Sequence, residues 1–470
     1  MSRHTPPLQP DGGPGFFHRN RYMGVRMSTS IDQLVSTYGD QNQCSQELFL
    51  RAQASLPGGN TRTGVYLDPF PIYSKSGAGV YVTDVDGNER LDFVNNATAL
   101  ILGHAHPSVV GALQDRTAQG TAFYGPTELE IELAELLRAR LPSLERLRFC
   151  SSGTEAVLNV IRVARAFTSK SKIAKFEGAY HGIDDPAMIS YLPPLGPELG
   201  PQNSPRSVLS SKGLAPGTAE SVVVLPFNDP EACATIIHAH AEDLAAVIID
   251  PLSTAAGLTL PRPGFLESLR DVTTSLGILL IFDEVVSFRL SSGGTQGTYG
   301  IRPDLTCLAK VMAGGTPGGA FGGREDVMAI YDPTTGNPGI AQSGTYNGNP
   351  LVAVAGLAAL REMTEEAYTR LHDLAHRLGA DLSEAFRSAG VEASVVTAGS
   401  IFRIFFLDRP PGNYREAALD SSQKHRWLSF WLLNHGIATR VGGCLSVPMT
   451  EEHTSRLVDE TRGALQEWPF

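Results

Sequence analysis

The sequence has no long apolar run, few cysteines and less positive than negative charge. No stretch approaches the roughly 18 consecutive apolar residues that a membrane-spanning helix needs, so we expect no membrane partner. The five cysteines show no CxxC spacing, and an odd number cannot all pair within one chain, which favours a reducing, cytoplasmic setting. Lys and Arg number 38 against 49 Asp and Glu, and the net charge of −11 argues against a nucleic-acid partner.

The chain is long enough for more than one hydrophobic core. Its 470 residues, 42% hydrophobic and 19% charged, are typical of a globular protein with two structural parts that share an interface. Residues 1–30 are rich in Pro, Gly, Arg and His and lack the apolar core of a secretory signal. We expect them to form a disordered leader, and Met27 is a second candidate start.

Short apolar strands alternate with helical periodicity from residue 145 onward. The strands have no polar face, which predicts a mainly parallel sheet covered by helices on both sides, with functional groups at the strand ends. The predicted strands are residues 147–150, 173–176, 222–225, 245–249 and 278–282. The sequence therefore belongs to the α/β class.

The pattern changes near residue 350, where a long helical stretch begins. We place a large domain at residues 81–348 and a smaller α+β domain at 349–470, with the segment 31–80 packing against the smaller one. Residues 79–94 alternate apolar and polar on both sides of Asp86-Gly87, which predicts a β-hairpin.

A carboxylate and a lysine stand out in the middle of the chain. Asp283 closes the apolar strand 278–282, and a buried carboxylate there needs a partner: a protonated ring nitrogen, an internal Arg or Lys, or a metal shared with Glu284. Lys310 lies among apolar residues, so desolvation should lower its pKa and make its amine a nucleophile towards carbonyls. A lysine that only extends its amine to water is the alternative.

A turn and a tyrosine add to this pattern. Ser152, Gly153 and Thr154 lie between a strand and a helix, where backbone N–H groups and the helix dipole suit a phosphate, although an ordinary N-cap has the same residues. Tyr180 lies between glycines and could stack on a planar cofactor or simply pack in the core. Phosphate turn, carboxylate and lysine in one α/β region favour a cofactor site.

Two further positions invite a functional interpretation. Arg62 follows a glycine turn, where its planar guanidinium could hold a carboxylate or could merely lie on the surface. His104 and His106 have no nearby Cys, Asp or Glu arranged with them in the sequence, so we predict a loop there and no metal site in the protein.

With these motifs the chain resembles class III, fold-type I pyridoxal-phosphate aminotransferases, especially the branch that contains glutamate-1-semialdehyde aminomutase and the β-amino-acid aminotransferases. The motifs occur in the family's order at residues 84–87, 102–107, 126–130, 152–156, 176–182, 283–285, 303–305 and 344–345. The resemblance spans roughly residues 45–460. It implies pyridoxal 5′-phosphate as the cofactor and a large domain built on a mainly parallel, seven-stranded sheet flanked by helices, with a smaller α+β domain.

The resemblance also implies roles for the residues around the cofactor ring. Lys310 would form the Schiff base with the cofactor and act as the base for the 1,3-proton shift. Asp283 would pair with the pyridinium nitrogen and so keep the ring an electron sink. Tyr180 would stack on one face of the ring, with Val285 near the other.

The phosphate contacts implied by the resemblance involve two subunits. Ser152, Gly153 and Thr154 would bind the phosphate from one subunit. In this family a threonine of the neighbouring subunit touches the same phosphate, and the matching residue is Thr345. The resemblance therefore implies a homodimer with shared active sites.

The substrate is predicted from the departures within the branch. Residues 57–62 and 442–451 look more like the β-amino-acid aminotransferases, in which the arginine at the position of Arg62 holds the donor's carboxylate and the one at Arg440 engages the distal carboxylate of the keto acceptor. We therefore favour transfer from a β-amino acid or related carboxylated amine to a keto acid such as 2-oxoglutarate or pyruvate.

Other residues keep a second interpretation open. Residues 126–130 point towards glutamate-1-semialdehyde 2,1-aminomutase, which moves the amine within one molecule, and Asp250 differs from the glutamate usual before Pro251. A binding protein that has lost catalysis is a third possibility, which the intact Lys310 and Asp283 disfavour.

Overall fold

The computed structural model describes residues 29–470 apart from Asn337 and Val441. Of the leader predicted at residues 1–30, residues 1–28 lie outside the described residues. Among the helices described, none combines the length and apolar character needed to span a membrane.

Helices and strands alternate along the chain. The helices are α1 Thr29–Gln41, α2 Gln43–Ala52, α3 Asn95–Thr98, α4 Pro107–Thr117, α5 Glu128–Arg140, α6 Gly153–Thr168, α7 Pro230–Ala239, α8 Phe265–Ser275, α9 Gly294–Tyr299, α10 Glu325–Met328, α11 Pro350–Glu362, α12 Glu365–Ser388, α13 Tyr414–Ala417, α14 Ser422–Asn434 and α15 Glu451–Gln466. The strands are β1 Ser74–Ala78, β2 Tyr81–Asp84, β3 Glu89–Asp92, β4 Arg146–Cys150, β5 Lys172–Phe176, β6 Val222–Leu225, β7 Leu244–Ile249, β8 Leu279–Asp283, β9 Leu305–Ala309, β10 Gly319–Gly323, β11 Ser394–Ala398, β12 Ile401–Phe405, β13 Ile437–Ala438 and β14 Gly442–Cys444.

The central sheet has seven strands in the order β4-β10-β9-β8-β7-β5-β6. Every pairing is parallel except those of β10, which runs antiparallel to both β4 and β9. Helix α6 packs on one face, and α7 and α8 pack on the other. The mainly parallel, helix-covered sheet is confirmed, and β4 to β8 match the five predicted strands.

Strand β10 is absent from the sequence-based prediction because three of its five residues are glycine, a residue depleted in strands. The glycines are required by close backbone approach: a Cβ at Gly322 would overlap the carbonyl oxygen of Arg146, and one at Gly323 would overlap that of Asp304. Close contact with both neighbouring strands therefore requires glycine at these positions. Strand propensity considers one strand alone and does not predict this requirement.

Two smaller sheets involve the C-terminal part of the chain. The predicted hairpin is confirmed as β2 and β3, which join β1 and, in parallel, β13. Helix α1 packs on α14, with the rings of Tyr38 and Phe430 5.2 Å apart. A third, antiparallel sheet has the order β11-β12-β14. Because β1 to β3 share a sheet with β13, the proposed domain division at residue 80 passes through a sheet and stays a prediction.

Candidate active site

A cavity of about 480 Å³ lies at the carboxyl ends of the central strands, between the central sheet and the sheet formed by β11, β12 and β14. This edge is where α/β proteins bind ligands. The predicted site residues that line it are Ser152, Gly153, Thr154, Tyr180, Asp283, Val285, Lys310 and Arg440. Arg62 and Thr345 are not among its lining residues. The structure thus brings eight of the ten predicted residues together, while their individual roles stay predictions.

Asp283 ends β8 and is almost fully buried. Its Oδ2 lies 2.7 Å from Nδ1 of His181, and its Oδ1 accepts a hydrogen bond from the backbone N–H of Val285 at 3.1 Å. The partner within the chain is therefore a histidine, which the sequence-based alternatives did not include.

Glu284, the second carboxylate at the end of β8, caps a helix. Its buried carboxylate accepts hydrogen bonds from the backbone N–H groups of Thr295 (2.7 Å) and Gln296 (3.1 Å) in the first turn of α9. Within the described residues, no group of three or more His, Cys, Asp and Glu side chains is arranged to hold a metal ion. The carboxylate of Glu284 is therefore used to cap α9.

The histidine motif also has an acidic neighbour that the sequence did not reveal. Nε2 of His104 lies 2.7 Å from Oδ2 of Asp92 at the end of β3. The expectation that no acidic residue is arranged with these histidines is wrong. The contact joins two residues that are distant from each other in the sequence. The loop predicted for the histidine motif agrees with the secondary structure.

Lys310 directly follows β9 and has a left-handed backbone conformation, with φ of +55°. A non-glycine residue in this region carries backbone strain, which is common at functional sites. Burial lowers the pKa of its amine, in the predicted direction, while the carboxylates of Asp283 and Asp250 raise it. The amine therefore loses its proton more readily than that of an exposed lysine.

The serine turn caps α6 and also faces the cavity. The side chain of Ser152 accepts a hydrogen bond from the N–H of Glu155 at 3.2 Å, so the N-cap interpretation applies to it. A Cβ on Gly153 would lie 3.0 Å from a methyl carbon of Val285, and one on Gly182 would lie 2.7 Å from Oγ1 of Thr154. The turn is thus held closely between two loops, with the helix N-terminus directed at the cavity.

Tyr180 follows β5 and is 41% exposed, with its ring 5.0 Å from that of Tyr191. Burial raises the pKa of its phenol, and the negative charge of Asp283 adds to the effect. An exposed ring on a cavity wall is available for stacking, so it does not have the core-packing role that was the alternative.

Arg440 lines the cavity, and Arg62, which does not line it, is close enough for its charge to act on Arg440. Arg62 is exposed and donates a hydrogen bond from Nη1 to Oδ1 of Asn96 at 2.9 Å. Burial lowers the pKa of Arg440, and the positive charge of Arg62 lowers it further. Asn96 belongs to α3, four consecutive residues with positive φ, two of which line the cavity.

The sequence assigned no role to several residues that line the site or support it. His181 is adjacent to Tyr180 in the same glycine-rich loop, and Asp250 follows β7 just as Asp283 ends β8, so position gave a usable indication for both. Burial raises the pKa of Asp250, and the Asp283 charge adds to it. Lys175 and Arg403 lie inside strands, where the sequence pattern does not indicate a functional role.

The cavity fits pyridoxal 5′-phosphate. The helix N-terminus at Gly153 supplies N–H donors for a phosphate, Asp283 offers a fixed carboxylate for a ring nitrogen, and Lys310 offers an amine for the aldehyde. The buried Nε2 of His181 has no hydrogen-bond partner among the described residues, which is the kind of orphaned polar atom that a ligand satisfies.

Comparisons with known proteins agree with this chemistry. The model of the class III aminotransferase family matches residues 65–420. A curated relative, the glutamate-1-semialdehyde 2,1-aminomutase of Desulforudis audaxviator, is 40% identical over 90% of this chain and 96% of its own length.

Solved structures are equally close. An omega-transaminase from Sphaerobacter thermophilus is 44% identical, with a TM-score of 0.86 over 90% of this chain and 97% of the other. A transaminase with bound pyridoxal phosphate is 39% identical, with a TM-score of 0.83 over 91% and 98%. A β-phenylalanine aminotransferase from Variovorax paradoxus is 33% identical, with a TM-score of 0.85 over 93% and 97%. With its fold, its cavity and these matches, the chain belongs to the class III aminotransferases, enzymes of fold-type I that use pyridoxal 5′-phosphate.

Proposed function

We propose that this enzyme transfers an amino group from a β-amino acid or a related carboxylated amine to a keto acid such as 2-oxoglutarate or pyruvate. The observation that carries the proposal is the guanidinium group of Arg440, which lines the cavity that contains Lys310 and is close enough to the exposed Arg62 for the two charges to interact. Arginine binds carboxylates through two parallel hydrogen bonds. Donor and acceptor each bring a carboxylate, and a dicarboxylic acceptor brings two.

Within this reaction the residues of the chain bind, orient and move protons. When bound, pyridoxal 5′-phosphate supplies an electron sink for the substrate carbon that loses its proton. Asp283, held by His181, would keep a proton on the ring nitrogen. The amine of Lys310, with its lowered pKa, would take and return the proton at the substrate carbon. Ser152 and Thr154 would anchor the phosphate.

The second candidate is a glutamate-1-semialdehyde 2,1-aminomutase. The names of the curated relatives favour it more strongly than they favour a transaminase, while the β-phenylalanine aminotransferase structure favours the first candidate. Chemistry separates the two: the semialdehyde has one carboxylate and needs no acceptor. The two guanidinium groups of Arg62 and Arg440 exceed the single carboxylate of that substrate, whereas a dicarboxylic acceptor can use both.

One pair of incubations decides between them. The holoenzyme is given β-phenylalanine with 2-oxoglutarate or pyruvate, and separately glutamate-1-semialdehyde alone. We expect glutamate or alanine in the first reaction and no 5-aminolevulinate in the second. The reverse result would establish the aminomutase and overturn the first proposal.

A variant pair ties the outcome to the carboxylate site. Arg62→Gln should lower kcat/KM for the β-amino donor by about 10- to 100-fold, because a charge-assisted hydrogen bond is lost. The exposed Arg51 of α2 gives a matched control, and Arg51→Gln should leave kcat/KM unchanged.

We also infer that the enzyme is a homodimer whose active sites are shared. Thr345 lies in the exposed segment 343–346, outside the cavity of its own subunit. Large side chains with exposed rings, Phe123, Tyr124 and Tyr346, lie in the same region, since Asn349 donates a hydrogen bond to the carbonyl of Thr121. Such apolar exposure is typical of an interface. A Thr345 side chain placed across it would reach the partner's phosphate site.

The cytoplasm remains the proposed location. All five cysteines are free, and four are buried, which suits a reducing compartment.

A further inference from the structure

Arg403 places a second guanidinium group, besides that of Arg440, in the lining of the active-site cavity. Its side chain is half-buried, lines the same cavity as Lys310 and Arg440, and belongs to β12. Its Nε is buried without a hydrogen-bond partner among the described residues. No ion pair within the described part of the chain involves it.

The carboxylate that acts on the pKa of Arg403 already has hydrogen-bond partners of its own. Asp420 raises the pKa of Arg403, against the lowering by burial. However, Oδ1 of Asp420 accepts hydrogen bonds from the N–H groups of Phe406 and Ser421, both at 2.9 Å, and its Oδ2 lies 2.6 Å from Nε2 of His425. Both carboxylate oxygens of Asp420 therefore have partners in the neighbouring chain segment, and Asp420 forms no ion pair with Arg403.

The backbone of Arg403 is fixed on both sides. Residue 403 pairs with Val396 of β11 and with Gly442 of β14. Gly442 has no side chain, and its carbonyl accepts a hydrogen bond from the backbone N–H of Arg440 at 3.3 Å. The side chain of Arg403 therefore starts from the small sheet and that of Arg440 from the segment that precedes β14, and both reach the same cavity.

The orientation of the Arg403 guanidinium is fixed by a neighbouring aromatic ring. Its central carbon lies 5.1 Å from the centre of the Phe405 ring. A guanidinium stacked on a ring keeps its N–H donors free around its edge, in the plane where a carboxylate binds. Leaving a partly buried guanidinium unpaired costs free energy, and such a cost is tolerated most often where a ligand supplies the partner.

We propose that Arg403 binds the distal carboxylate of a dicarboxylic substrate, alongside Arg440, and so makes the enzyme prefer dicarboxylic to monocarboxylic keto acids. The proposal rests on the transaminase function proposed above and adds a residue that determines its acceptor. It names 2-oxoglutarate rather than pyruvate as the better acceptor class.

The kinetic test uses the aminated holoenzyme in single-turnover reactions with each keto acid. Arg403→Gln should raise the half-saturating concentration of 2-oxoglutarate at least tenfold, change that of pyruvate less than twofold, and leave the maximal rates similar. Arg403→Lys should fall between wild type and Arg403→Gln. Arg409 is exposed and does not line the cavity, so Arg409→Gln is the matched control and should behave as wild type.

A binding measurement keeps the proposal separate from the reaction. Isothermal titration of the holoenzyme with glutarate and with butyrate should show at least tenfold tighter binding of the dicarboxylate, and Arg403→Gln should abolish the difference. If wild-type enzyme aminates neither keto acid yet still prefers glutarate through Arg403, the transaminase proposal fails and the carboxylate site stands.

Three results would overturn the role of Arg403. Equal weakening of both keto acids would mean a distorted cavity, unchanged binding of both would mean no contact, and loss of the cofactor from Arg403→Gln would mean that the residue supports the cofactor instead.

Discussion

At the scale of single residues, the carboxylate of Asp283 is oriented by two donors. Its Oδ2 faces Nδ1 of His181 and its Oδ1 accepts the N–H of Val285. Both contacts fix the direction of the carboxylate, and its remaining lone pairs are free for a ring nitrogen. In metal sites, residues that orient a ligating side chain in this way contribute about 10- to 100-fold to affinity or activity, and we expect an effect of similar size here.

We therefore expect His181→Leu to lower kcat about tenfold or more and to weaken cofactor binding. His181→Asn keeps an N–H donor near the position of Nδ1 and should recover most of the loss. The measurement is kcat together with the dissociation constant of the cofactor, and thermal unfolding separates the effect from a folding defect. An asparagine variant as impaired as the leucine variant would show that the ring fills space and does not orient Asp283.

The sequence was informative about residues that stand at the ends of strands. Asp283, Lys310 and the serine turn follow apolar runs, and the topology of parallel strands brings such ends to one edge. It was not informative about Arg403 and Lys175, because polar residues within strands acquire their neighbours only from other strands and loops. The role of Thr345 was predicted from resemblance and that of Arg62 from its glycine turn and resemblance together, and since neither residue lines the cavity, those roles are left to experiment.

At the scale of elements, Lys175 of β5 holds the loop that carries Tyr180 and His181. Its buried Nζ donates hydrogen bonds to the carbonyls of Ala179 (2.8 Å), Ala187 (2.7 Å) and Ile189 (2.6 Å). The protonated side chain thus satisfies three backbone acceptors at the two ends of the loop, and the neutral amine can donate to two of them. Its removal would leave buried carbonyls without donors.

Lys175→Met should lower the free energy of unfolding by about 2–4 kcal/mol, measured by urea denaturation. Burial lowers the pKa of Lys175 to about 7. Between that value and the ordinary lysine pKa of about 10.4, the unfolded chain binds the extra proton, so the contribution of Lys175 to stability rises with pH. The difference between wild type and variant should therefore be larger at pH 9 than at pH 7.

Lys172 of the same strand gives the control. Its ion pair with Asp243, 2.7 Å long, is partly exposed, so Lys172→Met should cost less than about 1 kcal/mol. A Lys175→Met deficit that stays constant from pH 7 to pH 9 would contradict the titration.

Strand β10 gives a second prediction about an element. Its glycines allow β4 and β9 to approach from both sides, and a Cβ on Gly323 would overlap the carbonyl oxygen of Asp304. Gly323→Ala should cost about 3 kcal/mol or more by forcing the strands apart.

The control is Gly111 in α4, where an added Cβ meets nothing within 4 Å. Gly111→Ala should stabilise the protein by about 0.5–1 kcal/mol, because alanine favours the helix. Unfolding curves of equal midpoint for the two variants would show that β10 tolerates a side chain. The same close contacts explain why five strands were predicted from apolar runs while β10 was not.

At the scale of the whole molecule, the structure of one chain leaves Thr345 away from the cavity it is proposed to serve. The exposed segment 343–346 and the exposed aromatic residues near it suit a two-fold interface, in which each subunit offers the same surface. Each active site would then combine Lys310 of one subunit with Thr345 of the other. Shared sites and independent sites therefore predict different activities for a mixture of two inactive variants.

Two inactive variants should restore activity to each other when mixed. Lys310→Ala removes the amine, and Thr345→Asp should repel the phosphate, so each homodimer is expected to be inactive. After unfolding and refolding together at equal amounts, half of the dimers are mixed, and each mixed dimer has one site with both lesions and one intact site. The mixture should therefore recover about a quarter of the wild-type activity if the sites are shared across a two-fold axis. Sites built from one chain would stay inactive in every mixture, and a monomer in sedimentation analysis would contradict the dimer directly.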